Sequence, residues 1–280
     1  MNISASAVKA LRDRTNQPMM NCKAALTEAN GDQEKAVEIL RKKSKDVQDK
    51  KVGRETAEGR IAAYIDPAQQ VGALLEMRCE SAPVARGDDF ARLSNDIAKQ
   101  VALKAPGTIE ALLAQPFVDD PKRTVNDRIG ELVGIINEHM KPARIVRLAG
   151  LLGSYIHHDF SVGVMVQAEG AQANPQLLRD VAMHITAKNP VALRREDISA
   201  ETLAKELEIA KSQAAATGKP ANLVDKIAEG KMKTWFAENV LLEQPFVKDE
   251  SKNPKTVGEL LKAASLNLVK FVRFKVGELS

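Results

Sequence analysis

The sequence predicts an α+β protein in which a small three-helix module precedes a duplicated core. Two observations carry this expectation. Apolar residues recur at helical spacing within residues 8–43, and an ordered set of paired segments runs between residues 61 and 278. A third, an unmatched stretch at about 193–238, adds a helical hairpin to the second copy.

The N-terminal module reads as three short helices. Asn16 to Pro18 and Asn30-Gly31 interrupt the pattern, Asp32 offers an N-cap, and Val8/Leu11, Cys22/Leu26 and Ala36/Val37/Ile39/Leu40 form apolar faces. So small a bundle buries little, which suits a docking module carried by a larger body. Met19 and Met20 diverge by about 100° on a helix and cannot both enter one narrow core. Either a flexible thioether is left for a binding surface, or one methionine packs and the other sits at a helix start. From Arg41 to Gly59 the pattern turns polar, with interleaved acids. It reads as a solvated helix end and linker, which ends the first domain near residue 55.

The remainder repeats itself. Tyr64-Ile65, five residues, then Val71-Gly72 recurs as Tyr155-Ile156, five residues, then Val162-Gly163. Each pair continues into an apolar run, so each predicts a β-hairpin. Asp96-Ile97-Ala98 with Lys104-Ala105-Pro106 matches Asp180-Val181-Ala182 with Lys188-Asn189-Pro190, a helix closed by proline. Gln115-Pro116-Phe117-Val118 matches Gln244-Pro245-Phe246-Val247, and Thr124-Val125 matches Thr256-Val257. Gly130-Glu131-Leu132 pairs with Gly258-Glu259-Leu260, and the closing strand Ile145–Leu148 with Phe271–Phe274. The expected domains are therefore 1–55, 56–150 and 151–280.

The copies differ at two places. Between the hairpin and the helix the first copy has seven more residues, giving an extra loop around Glu80 to Phe90, where Phe90 reads as the start of the next helix. The second copy has fifty residues between Pro190 and Leu241 where the first has five between Pro106 and Leu112. Leu203, Leu207 and Ala210, a turn at Thr217 to Pro220, and Leu223, Val224, Ile227 and Ala228 predict the antiparallel hairpin there, a device for partner contact or a structural buttress. His184 lies where the first copy has Gln100, a position that reads as polar surface.

Composition narrows the function. The 280 residues, 44% hydrophobic and 28% charged, are ordinary globular usage. With 41 basic and 37 acidic residues the excess of +4 does not predict direct nucleic-acid binding, and 4% aromatics leaves few stacking platforms. No apolar run approaches a membrane span and no secretory signal stands at the N-terminus, so a cytoplasmic protein is expected. Cys22 and Cys79 establish neither a disulfide scaffold nor a metal site. His157-His158 fall in a hairpin turn, and neither His-Glu-x-x-His, Cys-x-x-Cys, Gly-x-Ser-x-Gly nor a Gly-rich phosphate loop is present. No enzymatic chemistry, cofactor or metal is expected. A non-catalytic interaction module, with the N-terminal helices acting like a ubiquitin-associated domain, remains an alternative on composition.

Leu11-Arg12-Asp13-Arg14-Thr15 followed by Met19-Met20-Asn21-Cys22-Lys23-Ala24-Ala25-Leu26 resembles the first signature of the translation elongation factor Ts family. Val181–Ile185, Glu229–Lys233 and Gln244–Val247 resemble the same family in its order, so nearly the whole chain is covered. Asn16 stands where the family usually has glycine, a mild change because asparagine tolerates a left-handed backbone. A second departure is sharper. The family usually has Thr-Asp-Phe-Val after the cysteine of its second signature, and here Cys79-Glu80 is followed by Ser81-Ala82-Pro83-Val84.

The resemblance implies a guanine nucleotide exchange factor that binds elongation factor Tu, GDP-bound and nucleotide-free, displaces its Mg2+ and promotes GDP release. It implies partner contacts at Arg12, Met19, Met20 and His184, and places the Mg2+-dislocating loop at Ser81, Ala82, Pro83 and Val84. Alanine and proline supply neither the usual carboxylate nor the ring, so a loop stiffened by Pro83 would act through its backbone.

Overall fold

The computed structural model describes residues 3–171, 174–216, 218 and 220–278, and the chain divides into two compact units. Unit 1 comprises Met1–Leu148, His158–Val162 and Phe274–Ser280, and unit 2 comprises Ala149–His157 and Gly163–Arg273.

Unit 1 opens with α1 (Ala5–Thr15), α2 (Met19–Glu28) and α3 (Gln33–Lys51). Asp32 caps α3 by accepting from the Lys35 N–H at 3.1 Å. Asn16 ends α1 in the left-handed region at φ 53°, its N–H donating to the Arg12 carbonyl at 2.7 Å, a conformation that a short polar side chain accepts at little cost. Val8, Leu11, Cys22, Leu26, Ala36, Val37 and Leu40 close one apolar cluster among the three helices.

The hairpin follows as β1 (Glu58–Asp66) and β2 (Val71–Cys79), with Tyr64 opposite Ala73 and Ile65 opposite Gly72. Next come α4 (Ala82–Arg86), α5 (Asp88–Lys104), α6 (Ile109–Ala114), β3 (Pro116–Phe117), β4 (Asp120–Thr124), α7 (Val125–Ile136) and β5 (Met140–Ala149). Strand order is β1-β2-β5. Ala73, Leu75, Met77 and Cys79, alternate residues of β2, share one core with Phe90, Ile97 and Val101 of α5 and with Ile129 and Val133 of α7.

The polar run after Arg41 is not a linker. It continues α3 to Lys51 and packs against α7 within unit 1. The contact was hidden because, Val47 apart, it is built from small and polar groups. A Cβ added at Gly134 would lie 2.7 Å from the Ser44 Cβ and 3.0 Å from its Cα, and one at Gly130 would strike the Gln48 amide. Gln48 donates to Asn126 at 2.9 Å, while buried Gln17, between α1 and α2, donates to the Ser44 hydroxyl at 3.2 Å. The expected boundary near residue 55 therefore falls inside unit 1.

Unit 2 is formed, apart from Val162 and the last two residues of β8, by β6 (Leu151–Ile156), β7 (Val162–Gly170), α8 (Pro175–Lys188), α9 (Ala200–Ala215), α10 (Ala221–Asn239), α11 (Val257–Ala263) and β8 (Leu266–Lys275). Its strand order is β6-β7-β8, with Tyr155 opposite Val164 and Ile156 opposite Gly163. The paired helices α9 and α10 meet through Ala210, Ala214, Ala228 and Met232, whereas Leu203, Leu207 and Leu223 stay 37–39% exposed. Of the turn expected between them, Thr217 and Lys219 lie outside the described residues.

Capping chemistry sets the register of one matched segment and corrects another. Thr124 with Asp127 and Thr256 with Glu259 form capping boxes that start α7 and α11. Asp127 therefore corresponds to Glu259, and Gly130-Glu131-Leu132 lies a full turn beyond the position of Gly258-Glu259-Leu260. That sequence match is a coincidence of composition.

Candidate functional site

Arg12, Met19 and Met20 all lie on the surface of the N-terminal helices. Arg12 occupies the last turn of α1, and Met19 and Met20 begin α2 at 51% and 73% exposure. Neither methionine joins the cluster inside the helices, so the reading in which one packs does not hold. Met20, Lys23, Ala24 and Thr27 line a shallow concavity beside them.

Ser81 to Val84 is a helical turn rather than a loop. Ser81 precedes α4, with Ala82 and Pro83 in its first positions, where proline loses no intrahelical hydrogen bond. The base of this turn is clamped. The Ser81 hydroxyl and N–H both donate to the Glu138 carboxylate, at 2.6 and 3.1 Å. Reciprocally, the His139 N–H donates to Glu80 at 2.6 Å, and Arg54 approaches the other Glu80 oxygen at 3.5 Å. Cys79 donates to the Ser81 carbonyl at 3.3 Å, and burial, with Glu138 nearby, pushes its thiol pKa up to about 12. Pro83 is exposed while Ser81, Ala82 and Val84 are half-buried. A fixed backbone thus presents one rigid apolar ring. The stretch read as an extra loop around Glu80 to Phe90 forms α4 and the first turn of α5, whose Phe90 is wholly buried.

His184 is not on the surface: it is fully buried in unit 2. The Val247 N–H donates to its Nδ1 at 3.1 Å, which leaves the proton on Nε2 to be donated to the Gln244 amide oxygen at 2.9 Å. Gln100 in unit 1 does the same work. It donates to the Gln115 amide oxygen at 3.0 Å and accepts from the Val118 N–H at 2.8 Å. In both units the carbonyl of that second glutamine accepts the N–H of the valine that opens the next helix, Val125 or Val257, at 3.0 Å. Gln115 and Gln244 were not singled out from sequence, where the repeated Gln-Pro-Phe-Val was their signal, and Gln100 was noted only as the counterpart of His184.

This arrangement makes unit 2 sensitive to acid. Burial holds the His184 pKa below its ordinary value, against the opposing hydrogen bond that His184 donates to Gln244. A depressed folded-state pKa stabilises the protein above the unfolded value and loses that contribution as pH falls below about 6.5. His184→Gln copies the network of unit 1. It should preserve the fold and flatten the acid side of the stability curve, read from urea melts between about pH 5.5 and 7.5. An identical slope in both proteins would remove His184 as the source.

Among the described residues there is no group of three or more His, Cys, Asp or Glu arranged to hold a metal ion, and no helix long and apolar enough to cross a membrane.

The family model described as Elongation factor TS matches residues 80–278. An elongation factor Ts of Methylococcus capsulatus is 42% identical over 99% of this chain and 93% of its own length. That of Ralstonia nicotianae is 44% identical over 99% and 91%, and that of Aquifex aeolicus 40% identical over 100% and 99%.

Proposed function

We infer the function from family membership: this chain belongs to the elongation factor Ts family. It is a guanine nucleotide exchange factor for elongation factor Tu in translation elongation. The observation that carries this is the likeness to elongation factors Ts along essentially the whole chain. Exchange needs no covalent chemistry. A protein that binds the nucleotide-free partner more tightly than the GDP complex must weaken GDP binding by the same factor.

The residue roles follow as our proposal. Arg12, Met19 and Met20 dock the N-terminal helices, a ubiquitin-associated-like module, on the partner. The turn Ser81 to Val84 approaches the partner's Mg2+ site and displaces the ion by its held backbone and the Pro83 ring. His184 works from inside, positioning the Phe246-Val247 segment, where Val247 is 38% exposed. Residues 56–150 and 151–280 are two copies of one unit. The shared strand order and the paired Gln100 and His184 networks support that reading. The protein engages both GDP-bound and nucleotide-free partner in the cytoplasm, without direct contact to nucleic acid or membrane.

The direct test is stopped-flow release of fluorescent GDP from elongation factor Tu. Saturating protein should accelerate release, and no acceleration with both partners folded would defeat the assignment. A companion measurement addresses the altered turn. Ala82→Asp with Pro83→Phe restores the family's usual pair, yet it should release GDP no faster than the native protein. The new carboxylate would follow a residue whose N–H and hydroxyl already serve Glu138, so it gains like-charge repulsion without a donor. A clear rise in rate across several magnesium concentrations would show instead that the native turn is impaired.

A further inference from the structure

Within unit 1 the α3 surface and the β4–α7 region enclose a cleft of about 570 Å³. Its lining carries Arg14, Arg41, Lys122, Arg123 and Arg128 with the carboxylates of Asp120 and Glu131. Arg14 is already matched by Glu34, to which it donates twice at 2.6 and 2.8 Å, so Arg41, Lys122, Arg123 and Arg128 stand against two carboxylates. Glu131 is shared three ways. Arg123 donates to both its oxygens at 2.8 and 2.6 Å, Arg128 donates to one at 2.5 Å, and Arg41 lies at 3.8 Å. Asp120 pairs with Arg123 at 2.7 Å. The Arg123 and Glu131 side chains are only 22% and 19% exposed, so water screens this charge poorly. The Nε atoms of Arg123 and Arg128 are buried without a hydrogen-bond partner among the described residues. An adjoining cavity of about 280 Å³ adds Lys42 and Lys45 from the charged run of α3, with one further carboxylate, Asp127.

Folding thus gathers Arg41, Lys122, Arg123 and Arg128 into a concavity with only Asp120 and Glu131 to match them. Guanidinium forks match phosphate oxygens in geometry as well as charge, and the volume suits a small ligand. No aromatic side chain lines either cavity, so neither offers a stacking platform for a base. We propose that this cleft binds a small polyphosphate anion, either free or as the phosphate tail of a nucleotide. The site is separate from the residues assigned to docking and exchange, and it can be tested without elongation factor Tu.

The probe is inorganic pyrophosphate, titrated calorimetrically into the full-length protein at low ionic strength. One saturable site is expected. Arg123→Gln should weaken it by on the order of tenfold. Because Arg123 also holds Glu131, a second variant, Arg41→Gln with Lys122→Gln, changes exposed residues and leaves the Arg123–Glu131 pair in place. It should weaken binding by a similar factor with an unchanged melting curve. Competition separates the sources. GDP displacing pyrophosphate while guanosine does not identifies the phosphate tail as sufficient, and pyrophosphate binding that GDP does not displace identifies a free anion. Absence of saturation at millimolar pyrophosphate, or unchanged affinity in the double variant, would overturn the proposal. So would displacement by guanosine, or binding of a single-stranded RNA that pyrophosphate does not displace.

Discussion

Replacing Arg12, Met19 and Met20 together by alanine should weaken the complex with elongation factor Tu by roughly 100- to 1,000-fold while leaving thermal unfolding almost unchanged. The three side chains are exposed, and neither methionine belongs to the cluster that holds α1, α2 and α3 together. Alanine also maintains helix propensity at each position, so the folded state loses little. Binding should lose more. Residues central to an interface contribute about 1–3 kcal/mol each on truncation, and the combined loss appears mainly as faster dissociation. The measurement is affinity by calorimetry, paired with GDP release at subsaturating factor. Unchanged affinity in a folded triple variant would place docking elsewhere.

A second large effect is expected in stability. Gly134→Leu forces a branched side chain against the Ser44 backbone, where even a Cβ would lie 3.0 Å from Cα. Unit 1 should lose about 3 kcal/mol, because neither helix can retreat without opening the packing between α3 and α7. Gly230→Ala is the control. Gly230 lies in α10 with nothing within 4 Å of an added Cβ, so this change should stabilise by roughly 0.5–1 kcal/mol. Denaturant melts of both variants decide the matter, and near-neutral Gly134→Leu would mean that α3 separates from α7 easily. The same packing argues that deletion of residues 1–55 exposes a face of α7 rather than leaving an undisturbed core.

Elements whose boundaries are written in local chemistry were legible from the chain. Asp32 announces a helix start through its side-chain oxygen, and the Tyr-Ile and Val-Gly pairs mark both hairpins because strand pairing preserves their spacing. Thr124 and Thr256 were matched as a pair, and the structure adds that both cap helices. Position 16 was equally readable, since an asparagine at a helix end tolerates the backbone found there. The latter half of α3 was not. Its contact with α7 joins serine and glutamine to glycines with only Val47 packed on the core, and one valine is too weak a hydrophobic signature to distinguish the stretch from a solvated face. His184 was misplaced for a related reason. A histidine and the corresponding glutamine look like surface residues until their partners, sixty and fifteen residues away, are brought beside them. Helical geometry anticipated that Met19 and Met20 could not both be buried but not that both are exposed, whereas the clamp of Glu80 and Glu138 around Ser81 depends on long-range pairing that no local pattern reveals.

The single helix α3, about 28 Å long at 1.5 Å per residue, belongs to two packing arrangements at once. Its first half completes the N-terminal cluster with Ala36, Val37 and Leu40, and its second half is seated on α7 through Ser44 and Gln48. Mechanically it is a continuous strut with no hinge between them. A domain tethered by a flexible segment searches a volume before its second contact forms, and each extra degree of freedom dilutes its effective concentration. A strut removes that search: on the proposal that the methionine face docks, the rest of unit 1 would arrive with it, already aimed.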